Sequence, residues 1–116
     1  MAQEQTSTTN AERRIVRRRP LKKGVALTLR KGTMGLGPNL CIGGVELSDD
    51  GIQVLIKNEL KKGDEIEVGL TGIGRSKPMM LIAEVRWCRQ VEDTETFLVG
   101  LKLRRRLAHQ EMGLFV

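Results

Sequence analysis

Apolar residues recur at a period of two through most of the chain after Gly24, and this alternation constrains the fold more than any other feature. The sets are Val25, Leu27 and Leu29; Val45 and Leu47; Ile52, Val54 and Ile56; Ile66, Val68 and Leu70; Leu81, Ala83, Val85 and Trp87; and Phe97, Val99, Leu101 and Leu103. Successive side chains of a strand point to opposite faces, so each set lines one face of a half-buried strand; an amphipathic helix needs spacings of three and four. Six such strands predict an all-β domain. Six also suffices to close a small antiparallel barrel around one interior, a reading preferred to an open sandwich.

The segments between the sets carry turn chemistry. Asp50-Gly51 is a hairpin signal, Lys62-Gly63-Asp64 precedes the fourth set, and the glycines and Pro38 between Gly32 and Asn39 mark a longer loop. Arg104 to Met112 lacks glycine and proline and pairs Leu107 with Glu111 and His109 with Met112 at helical spacings, which predicts a short terminal helix ending at Gly113. A chain of 116 residues is long enough for one core and too short for two. The expected organisation is a disordered tail over 1–11, rich in Gln, Thr and Ser, then one domain over 12–113. Within it, 12–23 is a flexible basic arm, 24–103 the barrel and 104–113 the helix. Pro20 removes a backbone donor and restricts Arg19 to extended geometry, so the arm reads as extended or irregular.

Charge is distributed unevenly. Seven of the twenty basic residues lie between Arg13 and Lys23, whereas Gly24 to Val116 holds thirteen basic and twelve acidic residues, so the net charge of +6 belongs to the arm. Such charge suits an anionic partner. Single-stranded nucleic acid is disfavoured, because base stacking needs aromatic platforms and this chain has one Trp, two Phe and no Tyr. No apolar run reaches the roughly 18 residues of a membrane-spanning helix, and the polar start MAQEQTSTTN lacks the apolar core of a secretory signal. The expectation is a soluble, cytoplasmic protein. Cys41 and Cys88 are far apart in sequence, each beside apolar residues, and read as unpaired buried thiols.

Enzymatic chemistry finds no footing. His109 is the lone histidine, no nucleophile elbow or phosphate-binding glycine-lysine loop is present, and Gly35-Leu36-Gly37 is followed by Pro38. The pairs Asp49-Asp50 and Glu92-Asp93 fall in hydrophilic turns where solvation explains them. The chain reads as a non-enzyme with no metal and no cofactor. Two features are left. Arginine forks onto phosphate, pairs with the O6 and N7 edge of guanine and stacks on purines, so an arm with five arginines suits purine-plus-phosphate recognition, although charge alone also marks a nonspecific basic tail. In Glu46-Leu47-Ser48-Asp49-Asp50-Gly51, alternation turns Val45 and Leu47 inward and Glu46 and Ser48 outward. A carboxylate and a hydroxyl side by side before a tight turn can bind guanine N1 and N2, or can simply be a polar hairpin face.

Together these residues resemble the PilZ domain family, receptors for the bacterial second messenger cyclic di-GMP. Its signature is Arg-x-x-x-Arg, often after a further Arg, in an N-terminal arm, followed about thirty residues later by Asp or Asn-x-Ser-x-x-Gly on the barrel. Arg13, Arg14 and Arg18 match the first half; Ser48 and Gly51 match the second. Gly51-Ile52, Leu60 with Lys62-Gly63-Asp64, Ala83 to Trp87 and Val99 to Leu103 extend the resemblance over about Glu12 to Gly113. It implies a six-stranded split barrel that binds cyclic di-GMP through Arg13, Arg14, Arg17, Arg18, Glu46, Ser48 and Gly51, and that signals to a separate protein. Arg14 to Arg18 completes the longer motif, and Arg13 to Arg17 is a second register. Gly51 would serve the turn and allow close backbone approach. Glu46 departs from the family's Asp or Asn by one methylene. Trp87 is assigned to the core, with stacking on a base as the other reading. The competing functions are a PilZ module that binds protein and no nucleotide, and a small nucleic-acid-binding barrel.

Overall fold

The computed structural model describes residues 18–32 and 37–116; Arg13, Arg14, Arg17 and the tail read over 1–11 lie outside them. The six expected strands are all present: β2 (Ala26–Lys31), β3 (Cys41–Leu47), β4 (Gly51–Ile56), β5 (Glu65–Thr71), β6 (Met79–Gln90) and β7 (Phe97–Leu103). A two-residue strand, β1 (Arg19–Pro20), joins them from the arm, and the helix α1 spans His109–Met112. They form one sheet in the order β1-β3-β4-β7-β6-β5-β2, antiparallel at every step. The sheet curls until its inward side chains meet. Leu29, Leu47, Val54, Ile66, Val68, Val85 and Val99 are wholly excluded from solvent, as period-two alternation requires of strands wrapped around one interior.

No ladder closes the curl among the described residues. Where β2 and β3 splay apart, the Asn39 side chain bridges them: its Oδ1 accepts from the backbone N–H of Leu29 at 2.9 Å and of Cys41 at 3.0 Å. The Leu40 N–H donates to Leu29 O at 2.8 Å. Farther along the seam, Leu21 lies over Gly44 so closely that a Cβ there would overlap its Cδ1, and Leu27 Cδ2 stands 3.1 Å from the same point. The gap is therefore filled by side chains of the arm's root.

Three register shifts break the alternation, the first between Cys41 and Gly43 of β3. In β3 the register shifts again between Gly44 and Glu46, leaving Val45 half-buried where an inward position was expected. In β6 it shifts between Val85 and Trp87. One extra residue in a strand reverses the face of everything beyond it. Val85 points inward, Arg86 and Trp87 are both exposed, and Cys88 returns inward opposite Val99. Trp87 is consequently not a core residue; it is 36% exposed on the convex face.

The terminal helix is shorter than the expected 104–113. Arg104 and Leu107 donate their N–H groups to Ile82 O and Asp49 O, each within 2.8 Å, which holds this stretch extended against the barrel until Ala108 caps the helix. Glu111 accepts the Ala108 N–H at 2.8 Å and a two-pronged pair from Arg105 at 2.9 and 3.0 Å. The Arg105 bond, then the backbone bond, hold the Glu111 carboxyl down to about 2. A depressed carboxyl stabilises the fold above its unfolded value near 4.3, and the contribution is lost as pH falls through about 2. Protection factors of the His109–Met112 amides, taken against the intrinsic exchange rate at each pH, are thus expected to fall as pH drops between those values, and Glu111→Gln to remove the dependence; an unchanged profile in that variant would overturn the assignment.

Beyond α1 the chain turns inward. Phe115, placed in no predicted element, is 1% exposed and ranks first by volume among the fully buried side chains. Its carbonyl accepts the Lys22 N–H at 2.7 Å, while Lys22 Nζ reaches Gly113 O at 2.9 Å.

Candidate functional site

Strand register assembles a row of outward side chains across the middle of the sheet. Glu46 of β3 faces Gln53 of β4, Gln53 faces Gly100 of β7, and Gly100 faces Trp87 of β6. One position along, Gly51 faces Lys102 and Lys102 faces Glu84. Two glycines on adjacent strands leave a depression where side chains would otherwise stand. Trp87 leans over Gly100, with its Cζ2 at 2.7 Å from where a Cβ would sit, and forms one wall. Glu46 and Ser48 form the other. Arg18, one residue before β1, lines the cavity as well, and its volume is about 210 Å³.

Of the residues singled out from the sequence, Arg18, Glu46, Ser48 and Gly51 all line this cavity; the other three arginines lie outside the described residues. β1 accounts for Arg18: Arg19 pairs with Leu47 and Pro20 with Glu46, so the arm enters beside the strand that carries Glu46 and runs toward the Ser48 turn. Glu46 is outward and half-buried. Ser48 differs from expectation in being 3% exposed. Its Oγ lies 3.2 Å from Asp50 Oδ1 and 3.3 Å from Gly51 O. A hydroxyl has one proton. That proton is engaged within the turn, which leaves the Oγ lone pairs as its remaining hydrogen-bonding capacity.

The turn itself is built from without. Ser48 N–H donates to Gly51 O at 2.8 Å, and the carbonyls of Asp49 and Asp50 accept from Leu107 and Leu103 at 2.7 and 2.8 Å. Gly51 is not among the glycines of positive φ, so the left-handed conformation typical of an Asp-Gly hairpin is not its reason for being glycine. The reason is proximity: a Cβ there would stand 3.2 Å from Leu101 O and 3.6 Å from Ser48 Oγ. By contrast Gly63, in the turn before β5, does adopt φ +94°.

Gln53, Arg86, Trp87, Gly100 and Lys102 also line it, and of these only Trp87 was considered from sequence. Their convergence depends on β4, β7 and β6 being neighbours and on the β6 bulge, neither of which is written in local spacing. The bulge leaves Arg86 and Trp87 together on the outer surface, and Arg89 covers the indole with its Cζ at 5.6 Å from the ring centroid, a cation–π contact. Cations from three elements, Arg18, Arg86 and Lys102, thus face the anions Glu46 and Asp50, with Lys102 Nζ at 3.7 Å from Asp50. The combination is one of cationic groups for phosphate, acceptors for N–H donors and an aromatic face for a planar ring.

Other chemistry is less well served. Among the described residues no group of three His, Cys, Asp or Glu is arranged to hold a metal, and no helix is long and apolar enough to cross a membrane. Burial pushes the Cys41 thiol up to about 11, so it is protonated at neutral pH and a poor nucleophile. Comparison with curated proteins gives no match, and neither does comparison with solved structures. The family model for the PilZ domain matches residues 41–114, a span that takes in Glu46, Ser48, Gly51 and the whole β3 to α1 framework just described. On that match, together with the curled antiparallel sheet and its terminal helix, the chain belongs to the PilZ domain family.

Proposed function

We propose that this protein is a cytoplasmic receptor for cyclic di-GMP that passes its bound state to a separate protein. One observation carries the reading: Arg18, Glu46, Ser48 and Gly51, singled out by residue chemistry and by the family motif from two distant stretches of sequence, line a single cavity. In this reading Arg18 takes a phosphate or guanine edge, and Arg13, Arg14 and Arg17 supply further guanidinium contacts. Ser48 Oγ and Glu46 accept guanine N–H groups, and Trp87 offers a stacking face. Glu46 keeps the negative charge of the family's aspartate and reaches farther from β3.

Titration calorimetry with cyclic di-GMP tests this. Arg18→Ala is expected to weaken binding by about thirtyfold, the worth of one charged hydrogen bond near 2 kcal/mol, and Ser48→Ala by about fivefold, the worth of a neutral one near 1 kcal/mol. Glu46→Asp is expected to bind more tightly than the native chain. Absence of heat with both the native chain and Glu46→Asp at millimolar ligand would overturn the reading in favour of a PilZ module that recognises protein alone.

A further inference from the structure

The convex face carries a second, chemically different region at the opposite end of β6. Register sets Thr28 of β2 against Gly69 of β5, and Gly69 against Met80 of β6. Gly69 has no side chain to separate its neighbours, and a Cβ there would stand 2.6 Å from Thr28 Oγ1 and 3.3 Å from Met80 Sδ. The Thr28 hydroxyl and the Met80 thioether lean together over it, and Met80 is 49% exposed. Beyond this pair the β5–β6 hairpin protrudes, with every residue from Ile73 to Pro78 exposed. Ile73 at its tip is 57% exposed. Its Cγ1 lies 3.4 Å from the Cβ position of Gly24, so the hairpin that carries Arg75 and Lys77 touches the chain immediately after Lys23.

This corner contains no acid of its own. No Asp or Glu occurs between Lys22 and Arg30 or between Gly72 and Ala83. Lys23, Arg75 and Lys77 make no ion pair among the described residues. Glu111 approaches through the contact of Arg105 with Met79 Sδ at 3.8 Å, but both its oxygens are held by Arg105. Met80 and Trp87 are seven residues apart on β6, about 20 Å at the rise of a strand, so this region is separate from the cavity.

We propose that the β5–β6 hairpin is a peripheral membrane-docking tip, which seats Ile73 among the headgroups of an anionic bilayer while Lys23, Arg75 and Lys77 face lipid phosphates. Shape favours a bilayer over an acidic peptide. A peptide needs a groove to bury its backbone, whereas an exposed hairpin tip with one aliphatic anchor and a collar of cations meets a broad flat surface. A two-fold contact with a second copy of the chain is opposed by charge, since it would bring the same cations face to face. Anchoring of this kind is weak and reversible, with each cation near the surface worth about fivefold in partitioning.

Sedimentation of the full chain with phosphatidylglycerol-containing vesicles, and with pure phosphatidylcholine vesicles as control, tests the proposal. The native chain is expected to bind the first and not the second. Arg75→Ser with Lys77→Ser should lower binding by about twenty-five-fold, fivefold for each cation, and Ile73→Ser by several-fold. The same variants should titrate with cyclic di-GMP as the native chain does, which shows that they are folded. Because the arginine arm is itself cationic, Ile73→Trp supplies the deciding readout. Its emission should be quenched by brominated acyl chains, while Trp87, in the chain with Ile73, should not be. Vesicle binding that survives Ile73→Ser and the double cation variant but is lost on neutralising Arg13, Arg14, Arg17 and Arg18 would overturn the proposal and assign the affinity to the arm. Failure to bind anionic vesicles, with retention of a polyglutamate peptide, would overturn it in favour of an acidic protein partner.

Discussion

Phe115→Ala is expected to lower the free energy of unfolding by about 3–5 kcal/mol, the usual cost of emptying a buried aromatic site. The ring is 1% exposed and arrives from a four-residue segment that contributes no strand. Nothing in that segment can collapse into the vacated space without detaching the carbonyl that receives the Lys22 N–H. Urea denaturation with an unchanged slope measures the effect. A loss below about 1 kcal/mol, the size of an ordinary surface change, would show that the terminal turn is an accessory to the core.

Gly100→Ala should have its largest effect on the cavity. The new methyl would overlap the Trp87 indole at Cε2 and Nε1 and press on Cζ2. Gly100 is fixed between β4 and β7's other neighbour, β6, whereas the indole is 36% exposed and free to swing outward. The ring is therefore the partner that moves. Stability should fall by only about 1 kcal/mol, the centre of the range for point variants. Cyclic di-GMP affinity should fall by about a hundredfold, the effect of removing a well-packed aromatic anchor. A red-shifted Trp87 emission spectrum would report the displacement independently of any ligand. Unchanged emission together with unchanged affinity would refute the arrangement.

The strands could be read from sequence because the core is a stack of period-two faces; Ile52, Val54 and Ile56, and likewise Ile66, Val68 and Leu70, are all buried as the alternation demands. Trp87 could not, because a bulge costs one residue and leaves no mark in composition, and alternation extrapolated through it inverts. Val45 went astray for the same reason. The burial of Ser48 reflects a turn clamped from outside by Leu103 and Leu107, contacts that span more than fifty positions. Phe115 escaped notice because a terminal segment of four residues is too short to show a period. As for the site, its polar wall was legible through residue chemistry, since Arg18, Glu46 and Ser48 carry the polar groups, while Gly51 entered through the family motif. Gln53, Arg86, Gly100 and Lys102 acquire their place only from which strands are neighbours.

The packing of Leu21 over Gly44 has a consequence for how this molecule can be dissected. An arm attached through a slack tether could be trimmed away to leave an intact barrel for comparison. Here the residue one step past β1 is the stopper of the only seam that backbone pairing leaves unsealed among the described residues. Cutting the chain after Leu21 would remove the guanidinium groups and uncork the interior together. The arginines are best interrogated by changing their side chains, with their root left in place.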